Sequence, residues 1–297
     1  MKHFLEISQI SQGLARSLID RALFFKCTGR YPVYKDNTLA NLFYENSTRT
    51  RVSFEIAAHN LGINTINLDL NSSSEKKGEA VEDTIHTLTA MGINIFVVRH
   101  NRNGFSQAIA GSVDESCHII NAGDGTHSHP SQALLDLMTI IEHKPNLQDL
   151  KIAIVGDILH SRVANSLQSI AALFGIKDLV LIAPEEWHPS SAQFGQVTTS
   201  LQEGLHNADV VVGLRVQQER LTANTQLNLV SYQQKFGLTA QTLAYAKPDV
   251  MIMHPGPINR GLEIDSDVAD GSNSFILRQV ENGVYMRMAI IELLITS

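Results

Sequence analysis

Cysteine is nearly missing from this chain. Cys27 and Cys117 are the only two among 297 residues; they are too few for a disulfide framework and lack zinc-site spacing, so both are expected to be reduced and buried. Positive charge is also scarce, 23 Lys and Arg against 30 Asp and Glu, for a formal net charge of -7. A nucleic-acid surface needs an accumulated cationic face and is excluded. Any anionic ligand must then be held by a few local arginines and lysines. No run of about eighteen apolar residues and no basic-then-apolar leader is found, so no membrane span or signal peptide is expected and the cytoplasm is the expected compartment. The spaced glycines of a dinucleotide turn are missing too. The first strand-to-helix turn of the second half reads Gly156-Asp157-Ile158-Leu159-His160-Ser161, without the glycines that let a backbone approach a pyrophosphate. Neither a cofactor nor a metal is expected. Internal repeats and low-complexity segments are also lacking.

With 43% hydrophobic and 18% charged residues, the chain should fold compactly as one large or two medium α/β domains. Helical stripes alternate with short apolar runs. Residues 9–25 carry Leu14, Leu18, Ala22 and Phe25 at helical spacing, ending towards Gly29. Thr65–Leu70 alternates as a half-buried strand and leads into a small polar loop, Asn71–Glu79. A helix over about 79–91 precedes the β-branched run Ile93–Val98, which delivers Arg99 and His100 at its carboxyl end. A short helix at 105–110, a strand at 118–121 and an amphipathic helix through Leu134, Leu137, Met138 and Ile141 follow. Lys144-Pro145-Asn146 ends that helix and marks the expected boundary between residues 1–144 and 145–297. The second half repeats the pattern with strands at 150–155, 179–182, 210–214 and 250–253. Its last helix, about 281–297, is expected to cross back to the first domain. The expected fold is two doubly wound α/β domains, each a parallel sheet flanked by helices, with ligands outside the carboxyl edge.

The chain is organised around residues 43–55, Phe-Tyr-Glu-Asn-Ser-Thr-Arg-Thr-Arg-Val-Ser-Phe-Glu. Its left half ends a buried strand, and Phe54, Ala57, Ala58 and Leu61 stripe the helix that follows. Ser47, Thr48, Arg49 and Thr50 therefore stand at a helix start, where unpaired amides and the positive end of the dipole favour an anion. A lone Ser/Thr-rich helix start is more often a plain cap, but this string resembles the carbamoyl-phosphate motif of the aspartate and ornithine carbamoyltransferase family. Four further motifs of that family follow in order: Lys76–Glu79, His129-Pro130-Ser131-Gln132, Arg215–Arg220 and His254–Arg260.

The resemblance implies a set of roles. Ser47, Thr48, Arg49, Thr50 and Arg99 would hold carbamoyl phosphate, with His129 donating to its carbonyl oxygen. Gln132, with backbone carbonyls turned by Gly256 and Pro257, would take the carbamoyl nitrogen. Arg49, Thr50, Arg99 and His129 would form the catalytic set, acting by direct attack of the acceptor amine through a tetrahedral intermediate. Arg162, Arg215 and Gln217 match the aspartate-type pattern, and a forked guanidinium–carboxylate pair suits a dicarboxylate acceptor. Pro255, where the ornithine enzymes carry a cysteine, points the same way. Ser73 and Lys77 would enter a neighbouring subunit's site in a homotrimer, Lys77 touching both phosphate and aspartate. His127 is left as a turn residue. The implied reaction makes N-carbamoyl-L-aspartate and phosphate for de novo pyrimidine synthesis. Gly256 stands where the well-known regulated bacterial enzymes have leucine, so the resemblance does not by itself imply regulatory chains or nucleotide control, and regulatory or dihydroorotase-type partner chains are left open. Rival readings are an ornithine or other acceptor-specific carbamoyltransferase and a non-catalytic anion-binding α/β scaffold.

Overall fold

A computed structural model describes residues 1–68, 80–189, 191–217 and 229–297. Polar caps and glycines punctuate the apolar stripes. Helix α1 (Gln12–Thr28) opens on Ser11, whose side chain accepts from Leu14 N, and closes on Gly29 in the left-handed region at φ 62°. It buries Ala15, Leu18, Ile19, Ala22 and Phe25. Cys27 falls on the opposite side of the last turn and is exposed, whereas Cys117 is buried; both thiols are free. The expectation that both are buried thus fails for Cys27, which lies about 200° round the helix from the buried Phe25.

The chain divides into two compact units, residues 1–138 with 280–297, and residues 139–279. In the first, strands β1 (Thr38–Phe43), β2 (Asn64–Asn67), β3 (Ile95–His100) and β4 (His118–Asp124) form one parallel sheet in the order β2-β1-β3-β4. Helices α2 (Thr48–Asn60), α3 (Val81–Ala90), α4 (Phe105–Ala110) and α5 (Pro130–His143) follow the strands. Ala40, Leu42, Phe96, Val98 and Ile119 pack with Ile85 of α3 and with Phe105 and Ile109 of α4. The alternate positions Leu39, Ile95, Val97 and Ile120 are fully buried as well, so both faces of the sheet are covered, as a parallel sheet requires.

The second unit carries β5 (Lys151–Val155), α6 (Arg162–Phe174), β6 (Asp178–Ile182), β7 (Gln196–Thr198), α7 (Leu201–Leu205), β8 (Val210–Gly213), α8 (Leu229–Phe236), α9 (Ala240–Leu243), β9 (Met251–Met253) and α10 (Ser266–Ala269). Its sheet is also parallel, in the order β7-β6-β5-β8-β9. The fold is the expected pair of doubly wound sheets. Strand β7 is not expected from the sequence: it lies on an outer edge and its single apolar residue, Val197, is exposed, so no apolar run marks it.

The last helix, α11 (Ile276–Thr296), starts five residues earlier than its stripe suggests, since Leu277 and Val280 of its first turns are exposed. Its later residues pack on helices of the first unit. Arg21 of α1 makes a forked pair with Glu292 at 2.6 and 2.8 Å, Tyr34 donates to the same carboxylate at 3.0 Å, and Lys26 donates to Asn282 at 2.7 Å.

Candidate active site

In a sheet of order β2-β1-β3-β4 the chain leaves β1 to one side for β2 and comes back on the other side for β3. The crevice at the carboxyl ends of β1 and β3 is therefore a topological switch point, where open α/β sheets bind ligands. The 47–50 tetrad follows β1, and Arg99 sits on β3 directly opposite Phe43. Tyr44 N donates to Arg99 O at 2.9 Å, extending the pairing to the rim.

Ser47 is the residue before the first helical residue, Thr48, yet its side chain makes no capping hydrogen bond. Its carbonyl accepts from Arg51 N at 3.1 Å, while the amides of Thr48, Arg49 and Thr50 have no carbonyl one turn back to meet. Thr48 and Arg49 are exposed and Thr50 is buried. Arg51 lies 3.7 Å from Glu55 on the outer face, so the second arginine of the string is turned away from the helix start. The Arg99 guanidinium is fixed from two sides, with Nη1 donating to Ala122 O at 3.1 Å and Nε 3.2 Å from Glu45 Oε2. Glu45 is a positioning group the motif reading missed, although it lies inside the quoted string.

His129 enters from β4, the neighbour of β3. The turn before it is closed by Asp124 N donating to Ser128 O and His127 N donating to Asp124 O, each at 2.9 Å. Gly125 has φ +52°, and a Cβ there would collide with Asn103, so only glycine fits. His129 O accepts from Gln132 N and Ala133 N at 3.0 and 3.2 Å, which makes His129 the cap of α5 with Pro130 in the first helical position, where proline is favoured. The imidazole is 4% exposed. Gln132 Nε2 donates to Asp136 Oδ1 at 2.9 Å, both side chains buried. His127 bonds Glu6 at 2.9 Å on the surface, in keeping with a turn residue. Strands β1, β3 and β4 are thus adjacent and parallel, and their carboxyl ends carry the tetrad, Arg99 and His129 side by side on one edge.

The second sheet has its own switch point, between β5 and β8. Arg162 is the first residue of α6, after β5, and is 8% exposed. That helix is capped by Ser161, whose Oγ accepts from Ala164 N at 3.2 Å. Arg215 lies two residues past β8 and is half-buried. Gln217 Nε2 donates to His160 O at 3.2 Å, tying the two loops together. Buried Asp157 holds His160, whose ring Nδ1 is at 2.8 Å and backbone N at 3.1 Å. Burial, with Glu263 and Asp157 nearby, pushes the Tyr232 phenol above its usual range.

The loop after β9 is fixed by a buried pair. His254 Nδ1 accepts from Gly256 N at 2.8 Å, so the neutral ring carries its proton on Nε2, which lies 3.3 Å from Glu263 Oε1. Glu263 Oε1 also accepts from Asn259 N at 2.6 Å, and Asn259 Nδ2 donates to Val216 O at 3.1 Å. The Gly256–Pro257 peptide is cis, with Gly256 at φ +67°. Ser73, Lys77 and positions 218–220 of the arginine motif lie outside the described residues.

A phosphate-favouring helix start, a strand-end arginine and a helix-capping histidine on one sheet edge, with an arginine-bearing second sheet, define an anion-handling α/β enzyme architecture. The profile of the aspartate/ornithine carbamoyltransferase carbamoyl-P binding domain matches residues 2–142, and that of the Asp/Orn binding domain matches residues 148–294. The chain belongs to the aspartate/ornithine carbamoyltransferase family. Among its relatives, the aspartate carbamoyltransferase catalytic subunit of Legionella pneumophila (strain Paris) is 61% identical over 297 residues, covering 100% of both chains. The crystal structure of aspartate transcarbamoylase from Trypanosoma cruzi with carbamoyl aspartate and phosphate is 30% identical, with TM-score 0.85 over 98% of this chain and 94% of that one. Ornithine carbamoyltransferase from Pyrococcus furiosus is 27% identical, with TM-score 0.88 over 100% of this chain and 97% of that one.

Proposed function

We propose that this chain transfers the carbamoyl group of carbamoyl phosphate to the amine of L-aspartate, giving N-carbamoyl-L-aspartate and phosphate in de novo pyrimidine biosynthesis in the cytoplasm. The observation that carries the reading is the α2 start at the first switch point, where Ser47 keeps its hydroxyl out of its own cap and Arg99 stands on the neighbouring strand. A dianion there meets the amides of the first helical turn, the dipole, two hydroxyls and the Arg49 guanidinium.

The residues divide the work by where charge develops. The amine nitrogen of aspartate attacks the carbonyl carbon, a tetrahedral intermediate forms, the bond from that carbon to the bridging phosphate oxygen breaks, and the amine gives up a proton. Thr50, Arg99 and neutral His129 stabilise the oxyanion; Ser47, Thr48 and Arg49 stabilise the departing phosphate. One well-placed oxyanion donor contributes about 3 to 4 kcal/mol, and holding two reactants in attack geometry about 7 to 11 kcal/mol. Gln132 and the carbonyls of the Gly256-Pro257 turn take the carbamoyl nitrogen. Arg162 and Arg215 hold the two acceptor carboxylates with help from Gln217, so residues 1–144 form the carbamoyl-phosphate domain and 145–297 the aspartate domain, apart from the last helix, about 281–297, which packs on the first. Ser73 and Lys77 act in the neighbouring site of a homotrimer.

The test is product formation from carbamoyl phosphate with L-aspartate and, separately, with L-ornithine. N-carbamoyl-L-aspartate and phosphate in equal amounts are expected with aspartate alone; citrulline would replace this reading by the ornithine one, and no product with either would leave an anion-binding scaffold.

A further inference from the structure

One buried ionic group in the first unit has no part in the reaction just described. Asp136 is fully buried on α5, one turn after Gln132, and accepts from Gln132 Nε2 at 2.9 Å. Arg287 of α11 is 3% exposed; its Nη1 donates to Gly283 O at 3.0 Å, and its guanidinium stands 5.0 Å from the ring centre of Phe54 on α2. A Cβ on Gly283 would collide with that guanidinium, so the helix leaves room for it. Burial lowers the Arg287 pKa to about 10 while the charge of Asp136 pulls it back up, so the arginine remains a cation at neutral pH. The charge of Asp136 thus offsets part of what burial costs the Arg287 cation.

The consequence falls on Gln132. A glutamine amide offers a donor on one side and an acceptor on the other, and the two ends interchange by a half-turn of the last torsion. A carboxylate can only accept, so Asp136 fixes Nε2 towards itself and leaves Oε1 as the atom for a ligand. An acceptor there welcomes an N–H and gains nothing from a methyl group of the same size.

We propose that Asp136 is the positioning residue that makes this site prefer a carbamoyl phosphate to an acyl phosphate, by locking Gln132 with its carbonyl oxygen offered to the substrate NH₂. The proposal rests on the carbamoyl-transfer reading and deepens it.

Acetyl phosphate, which replaces the NH₂ by CH₃, is the probe. Its affinity and that of carbamoyl phosphate are measured calorimetrically on the full chain as wild type, as Asp136→Asn, and as Asp136→Asn with Arg287→Gln, which removes both buried charges together. Wild type is expected to bind carbamoyl phosphate about tenfold or more tightly than acetyl phosphate, one hydrogen bond's worth. In either variant carbamoyl phosphate should weaken by about that factor, with acetyl phosphate within about twofold of wild type. Equal weakening of both ligands, an unchanged preference in a folded variant, or a wild type indifferent between the two would overturn the proposal. A wild type that binds neither ligand overturns the carbamoyl-transfer reading as well, and is distinguished by that result.

Discussion

His129 and Ser47 show how much a single side chain is asked to do. The imidazole is held at the cap of α5 by backbone bonds that do not involve its ring, so His129→Ala should leave the turn intact while removing one oxyanion donor. Turnover is expected to fall by around two orders of magnitude; a rate within a few-fold of wild type would take the histidine out of the mechanism. Ser47 makes the opposite case from an ordinary cap. Replacing a bonded cap by alanine costs about 1 kcal/mol, but the Ser47 hydroxyl makes no such bond. Ser47→Ala should therefore leave the melting temperature almost unchanged and weaken carbamoyl phosphate binding by about tenfold; a stability loss without a binding loss would return Ser47 to a structural role. At this scale the sequence named the motif residues but not Glu45 or Asp136. Both are carboxylates whose meaning depends on a partner far along the chain or on the next turn of a helix, and neither spacing announces it.

Elements carry the next layer. Helix α6 is anchored by a true cap, the Ser161 hydroxyl accepting from Ala164 N, and Arg162 is its first residue. Ser161→Ala should cost about 1 kcal/mol of stability and raise the KM for L-aspartate, measured by denaturant melts and steady-state kinetics on the same protein. The N-terminal segment is pinned along β4 by Phe4 N donating to Ile119 O and by Ile119 N donating to His3 Nδ1. That last bond needs a neutral ring, and burial, helped by Lys2 and His118, lowers the His3 pKa from 6.5 to about 4. The unfolded chain takes up the proton first on acidification, so this contribution is complete above about pH 6.5 and is lost as the pH falls from there towards 4. His3→Asn keeps an acceptor that does not titrate, and its melting temperature should drop less than that of wild type between pH 7 and pH 4.5. An equal drop would remove His3 from the acid response. Strand and helix periodicity revealed most elements; it missed β7, a short outer strand, and the exposed start of α11.

For the whole molecule, the proposed homotrimer with shared sites makes a sharp expectation. Lys77→Ala and His129→Ala proteins, each nearly inactive, should regain activity when mixed under subunit exchange, because some sites then draw both residues from unaltered chains. Return of at least several per cent of wild-type turnover is expected on this scheme, since only a fraction of mixed sites is intact; none would confine each site to one chain. The forked Arg21–Glu292 pair gives α11 its place on the first unit.

The order of the apolar stripes and the Ser-Thr-Arg-Thr and His-Pro-Ser-Gln strings were enough to establish two doubly wound sheets and the family, because helix and strand periods and helix-start chemistry are local properties of the chain. Strand order was not local. That β1, β3 and β4 lie side by side, so that three stretches from Ser47 to His129 meet on one edge, follows from which strands pair. The same holds for Arg287, which the sequence places more than 200 residues from Phe54: only packing of the last helix sets that buried cation over the Phe54 ring.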